Sequence, residues 1–272
     1  MRKGRALRHS YRFLTGVGIL AAGLAAVLLA RLGAGDPFGP SETLLTPPSA
    51  AHPFGTDELG RDVLARVLHG AATALLVSFP PALLAAVVGT VVGLVAGYTG
   101  GLVDEVLLKL IELVLVVPRF LLALVVVALF GGSLPLLAIV LAATFWPATA
   151  RLVRAERAGR LDERALPERD RLGASDTRIV LHHLLRLVLP IVAVNSSFQA
   201  GQAALIESGL AFLGLGDRNV VSWGAMLSDA QSYLGLAWWT ALFPGLALSA
   251  LVLAANLVGD GIADTWNVRA RR

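Results

Sequence analysis

An all-α protein that crosses a membrane about six times is the fold class this sequence predicts, on three observations. Hydrophobic residues make up 56% of the 272, and Asp, Glu, Lys and Arg together only 15%, against roughly 25% charged residues in an average soluble domain. Six apolar stretches are near or above the ~20 residues that a helix needs to cross the hydrocarbon core. The basic residues gather on alternate connections between those stretches.

The six stretches are residues 13–29, 72–97, 103–130, 134–153, 179–206 and 238–262. The first follows Arg2, Lys3, Arg5, Arg8 and Arg12, the pattern of a secretory leader, but its apolar run exceeds the usual 7–15 residues of such a leader, so a retained helix is expected. The fifth contains Asn195, Ser196, Ser197, Gln199 and Gln202; these side chains need protein or a water path to face, because unsatisfied polar groups in lipid cost several kcal/mol. Trp238 and Trp239 open the sixth stretch, Trp266 follows it, and Trp146 lies toward one end of the fourth, a distribution expected of an interfacial aromatic belt.

With six spans, both termini and the connection after the fourth lie on one side. Residues 1–12, 151–178 and 269–272 hold sixteen of the 23 Lys and Arg, whereas Arg31, Arg61, Arg66 and Arg218 are those expected opposite. Positive residues remain cytoplasmic, so a multi-pass protein with cytoplasmic N- and C-termini is expected. The basic excess is thereby a sign of topology, and no nucleic-acid partner is implied. The expected divisions are an N-terminal helix and external segment (1–71), a membrane domain (72–264) with a cytoplasmic loop at 154–178, and a cytoplasmic tail (265–272). Cysteine is absent, which excludes disulfides and thiolate metal sites.

That loop is dense in charge. Pro167 suits a first helical turn, Glu168 and Asp170 lie near its positive end with Arg171 at the other, and Gly173 can take a left-handed stop. Ser175 or Asp176 can cap a second helix running into the fifth span. So short a helix is unstable alone and needs a docking surface. The wording "RLGASDTRIVLHHLL" (residues 171–185) is joined by "HPFGTDELGRDVLARVLHGA" (52–71), "ESGLAFLGLG" (207–216), "SWGAML" (222–227), "LFPGLAL" (242–248) and "NLVGDGIAD" (256–264). Together they resemble the permeases of ATP-binding-cassette (ABC) importers for oligopeptides, dipeptides or nickel, in particular the second permease of the pair.

The resemblance implies the type I ABC-importer permease fold in a bacterial inner membrane. It also implies a homologous permease, ABC ATPase subunits and an external solute-binding protein as partners. In that family the loop docks on the ATPase, with a Glu-Ala-Ala pattern, a glycine and a histidine. Here Gly173 and His183 keep the spacing, and Pro167, Glu168, Arg169, Asp170, Leu172, Ala174, Ser175 and Asp176 make up the rest of the coupling loop. Pro167, Glu168 and Arg169 replace Glu-Ala-Ala, and Arg186 stands where the family has proline. The chain itself is expected to be non-catalytic and to bind no cofactor. Its two lysines, Lys3 and Lys109, do not follow glycine, so the phosphate-cradling Gly-x-x-x-x-Gly-Lys loop is missing, and ATP and Mg belong on the partner ATPase.

Two further groups are candidates. Glu105, Lys109 and Glu112 share a helix face, either beside the solute path as a gate or as an ion pair snorkelling at an inner helix end. Asp57, Arg61 and Asp62 form either a binding-protein contact or a capped turn leading into the next helix. The histidines make no i, i+4 pair, so no metal site is expected. Two other classes compete: a secondary carrier or channel without an ATPase, which needs membrane-buried coupling charges, and an intramembrane hydrolase. "GLGD" at 214–217 matches an aspartyl-protease motif, but such an enzyme needs two aspartates at matched depth, and Asp217 falls in a connection. The transported solute is not readable from these residues.

Overall fold

The computed structural model describes residues 2–33, 35–41, 43–158 and 184–270, with side chains for 11–33, 35–41, 43–156 and 184–265. Among these residues the chain forms eight α-helices: α1 (Arg2–Gly33), α2 (Val63–Thr99), α3 (Gly101–Val116), α4 (Arg119–Phe130), α5 (Leu134–Ala158), α6 (Leu185–Phe212), α7 (Trp223–Ala230) and α8 (Trp239–Ala270). A 3₁₀ turn, Gln231–Tyr233, follows α7. Four stretches are individually long and apolar enough to cross a membrane: Tyr11–Gly33, Val63–Thr99, Leu134–Glu156 and Trp239–Thr265. The bent pair α3–α4 makes a fifth. The 28-residue α6 has the length to cross at ~1.5 Å per residue, and its polar side chains set it apart from the others.

The expected spans recur with corrected boundaries. The first extends from 13–29 to Arg2–Gly33 and the second from 72–97 to Val63–Thr99. The third, expected as one helix over 103–130, is broken: α3 and α4 meet at 72°. Pro118 biases the residue before it away from helix, and Val117 accordingly sits at φ −79°, ψ 122°. The start of the fifth, at 179, lies outside the described residues. At the other end of α3, Gly100 and Gly101 both hold positive φ, 61° and 56°, a reversal that L side chains resist.

Small residues set the packing. A Cβ on Gly89 of α2 would stand 2.6 Å from the Trp146 carbonyl of α5, and one on Gly93 2.6 Å from the Ala150 carbonyl. These two glycines, one turn apart, let the α2 and α5 backbones touch, the small-xxx-small solution of membrane helices. Likewise Gly16 of α1 abuts Ala254 and Val258 of α8, and Gly261 abuts Phe13. Buried side chains form three clusters, one around Trp223, Trp239 and Met226, one around Phe145, Leu141 and Leu210, and one around Val153, Val188 and Leu94. Meanwhile Leu76, Leu83, Leu84, Val87 and Val91 stand exposed along α2. So long an apolar stripe is a liability in water and an ordinary surface in lipid.

Candidate functional site

At one end of the bundle, residues 35–62 fold into a corner beside α7. Asp57 is buried, and its Oδ1 accepts the backbone N–H groups of Leu59 and Arg61 at 3.0 and 2.8 Å. Its Oδ2 receives Arg61 Nε at 2.7 Å and an Nη of Arg66. Arg61 Nη2 donates to Glu58 Oε1 at 2.8 Å. Both arginines also lie 3.6 Å from Asp229 Oδ2 of α7. Two cations therefore face three carboxylates, of which Asp57 is buried and Glu58 largely shielded, while Asp229 is open to solvent. Burial pushes the Glu58 carboxyl above the usual range, and the negative Asp57 and Asp229 add to the rise.

Asp62 caps α2: Oδ1 accepts Ala65 N–H at 2.8 Å, while Oδ2 contacts His52 Nδ1 at 2.7 Å. An aspartate N-cap satisfies one of the orphan donors of a first helical turn. Three aromatic contacts key this corner to the bundle. Trp239 Nε1 donates to the Thr56 carbonyl at 3.1 Å, Trp223 Nε1 to the Val67 carbonyl at 3.0 Å, and Phe54 stacks on Phe243 with centroids 3.8 Å apart. Of the expected lipid-interface belt, Trp239 is buried and Trp238 exposed, Trp146 is half-buried, and the side chain of Trp266 lies outside those described. Of the three candidate contact residues, Asp57 is turned wholly inward, with 4% of its side chain exposed, and Arg61 nearly so at 12%.

A second polar region runs inside the spans. Asn195, Gln199 and Gln202 recur at helical spacing on α6. Asn195 Nδ2 donates to Thr149 Oγ1 of α5 at 2.8 Å, and Gln199 Nε2 donates to the Phe145 carbonyl at 3.0 Å. The Gln202 carbonyl accepts Arg119 Nη1 at 3.1 Å. The Arg119 guanidinium also lies 5.2 Å from the centroid of the Phe145 ring. The seam thus joins α4, α5 and α6 at the broken span. Toward the end of α6, Glu207 is buried, 3.3 Å from Ser208 Oγ, against a small cavity of ≈10 Å³ that Ser133 and Asp217 also line. Asp217 itself organises a turn, accepting Asn219 N–H at 3.0 Å.

At the opposite end of α5, Arg154 forms a two-pronged pair with Asp104 of α3, at 2.5 and 2.7 Å. This bidentate geometry is the strong form of an ion pair. Lys109 and Glu105 form an exposed i, i+4 pair at 2.9 Å, and Glu112 is exposed as well. The coupling-loop candidates Pro167, Glu168, Arg169, Asp170, Leu172, Gly173, Ala174, Ser175, Asp176 and His183 all lie outside the described residues. Sequence reasoning missed Asp104–Arg154, Arg66–Asp57, Glu207 and Arg119. The first two pair across 50 and 9 positions; a charge beside a glycine pair or near a span's proline was the available signal. Among the described residues no group of three or more His, Cys, Asp or Glu could hold a metal.

The described residues thus form a bundle of membrane-length helices with a broken span and a polar seam, and comparison with known proteins defines the class. Residues 89–272 match the family described as binding-protein-dependent transport system inner membrane component. The chain belongs to this family, the permeases of ABC importers. It is 35% identical over 225 residues to the dipeptide transport system permease protein DppC of Alkalihalophilus pseudofirmus, covering 82% of this chain and 74% of that one. A putative peptide transport system permease protein of Brucella abortus is 36% identical over 270 residues, 98% of this chain and 90% of its own. The probable D,D-dipeptide transport system permease protein DdpC of Escherichia coli is 34% identical over 227 residues, 83% and 76%.

Proposed function

We propose that the chain is the second permease of an ATP-driven peptide importer. It forms a translocation path with a homologous permease and receives dipeptides or oligopeptides from an external solute-binding protein. ATP, with Mg, is hydrolysed on partner ATPase subunits docked at residues 166–179, and the membrane helices rock between two arrangements. Both termini and the coupling loop face the cytoplasm, and the corner at residues 35–62 faces outward. Resemblance over 98% of the chain to a relative named for peptide transport carries this reading, and it favours peptides over nickel. The basic residues grouped at 1–12, 151–178 and 269–272 support the orientation.

The test is uptake by the complete importer in proteoliposomes. Dialanine should accumulate only when binding protein and ATP are both supplied, and ATP-independent uptake would favour a secondary carrier instead. In the co-expressed complex, Gly173→Arg should reduce the ATPase retained on the purified permease by at least about tenfold, since a long cation at a close docking contact loses about 1.4 kcal/mol or more. Full retention would remove the docking role from this loop.

A further inference from the structure

Arg119 occupies an unusual place. Arg119 follows Pro118 at the break, and its guanidinium lies 5.2 Å from the ring of Phe145, the middle residue of the 23-residue span Leu134–Glu156, so Arg119 lies beside the middle of a membrane-length helix. Charges at that depth face the bundle interior or a water-filled cavity and normally pair with a counter-charge. Non-helical backbone there is likewise confined to protein interiors and wet cavities. Among the described residues, the polar partner of Arg119 is the neutral Gln202 carbonyl oxygen at 3.1 Å, and the Phe145 ring supports one face of it. Arg12, Arg61, Arg66 and Arg154 each pair with a carboxylate, whereas Arg119, packed between α5 and α6, has none among the described residues. Gln202 is exposed and Arg119 half-exposed, so donors remain free on an open surface.

We infer that Arg119, held by Gln202 and Phe145, is a contact for a carboxylate of the solute as it passes the broken span. A guanidinium presents five donors in a planar fork that matches a carboxylate, and one of its nitrogens is committed to Gln202. The ring below holds its plane without neutralising it. A linear peptide with an unmodified end carries a carboxylate at its C-terminus, so the site would meet such peptides whatever their side chains. This assignment rests on the peptide reading above and goes beyond it by naming where the path meets the solute's charge.

The experiment uses the complete reconstituted importer with dialanine as probe, and reads dialanine carried per ATP hydrolysed. Absence of dialanine uptake by the wild type would overturn the peptide reading and this assignment with it. With an active wild type, the expected order is wild type, then Arg119→Lys, then Arg119→Gln, then Arg119→Glu. The Gln variant should fall about tenfold below wild type, the scale of one lost charged hydrogen bond. A Lys variant as poor as the Gln variant, or four proteins carrying equal amounts, overturns the assignment and leaves the peptide reading intact. Loss of the homologous partner permease from purified Arg119→Gln complexes also overturns it, because the guanidinium would then belong to a carboxylate of that subunit.

Discussion

At the corner formed by residues 35–62 and α7, two arginines meet three carboxylates, with Asp57 accepting from Arg61, Arg66 and two backbone N–H groups. Inside the spans, Arg119 meets an amide oxygen and a ring, and the neighbouring contacts are between neutral groups, Asn195 with Thr149 and Gln199 with the Phe145 carbonyl. The corner gives each of its two cations a carboxylate of its own chain, although the buried Arg66 Nε has no hydrogen-bond partner. The seam pairs its amide donors with neutral oxygens but leaves the buried Gln199 Oε1 unmatched, and among the described residues it gives its cation an amide oxygen in place of a carboxylate. A region built to stay put closes its electrostatic network, because a buried charge that loses its partner is very costly. On the path proposed above, a solute that meets Arg119 also has to leave it, which a carboxylate-rich network like that of the corner would not allow.

The sharpest way to break this comparison is Asp57→Ala. It strips Arg66, whose side chain is 6% exposed, of its short partner and leaves two backbone donors unmet. A loss of about 3–5 kcal/mol is expected, read as a collapse of the unfolding midpoint of the purified permease in detergent. Adding Arg66→Met should recover part of that loss, since removing both members of a buried pair costs less than removing one. A double variant no better than the single would mean that the network is not what holds the corner.

A smaller effect is expected in the seam. Asn195→Leu removes one interhelical hydrogen bond to Thr149, and such bonds average about 0.6 kcal/mol within membranes. The same unfolding measurement should barely move. A penalty equal to that of Asp57→Ala would erase the distinction between the two regions.

The smallest effect concerns pH. Burial raises the Glu58 carboxyl, so the folded corner holds its proton at pH values where the unfolded chain has released it. Folding is then least impeded below about 4.5, the ordinary value, and stability declines as pH rises from there through the elevated folded value. Glu58→Gln removes this decline. Unfolding midpoints compared at pH 4 and pH 7 should therefore fall by less in the variant than in the wild type, and an equal fall would exclude Glu58 as the group responsible.

Much of this architecture is legible from residues alone, and the exceptions have a common cause. The apolar stretches anticipate the spans because lipid selects hydropathy locally, whatever the helices pack against. Asp62 before "VLARVLHG" was readable as a cap within a turn, since capping operates over three residues. The break at Val117–Pro118 was not readable. Pro80, Pro81, Pro147, Pro190 and Pro244 all lie inside continuous helices, so a proline in an apolar run does not announce a break; neighbouring helices decide whether the freed carbonyl is met. Trp239 illustrates the same limit. Its place at a span's mouth fitted an interfacial anchor, yet Thr56, 183 positions away, takes its N–H.

Composition and pattern by themselves determined that this chain is a helical membrane protein, roughly where it crosses, and which connections carry positive charge, because each of those depends on a residue and its near neighbours in a two-sided solvent. Only the tertiary structure decided which charges meet and which do not: that Arg66 and Arg154 have carboxylates and that Arg119 has an amide. Those pairings depend on how close glycine-lined helices can approach and at what angle, and such distances are set by packing across the whole bundle.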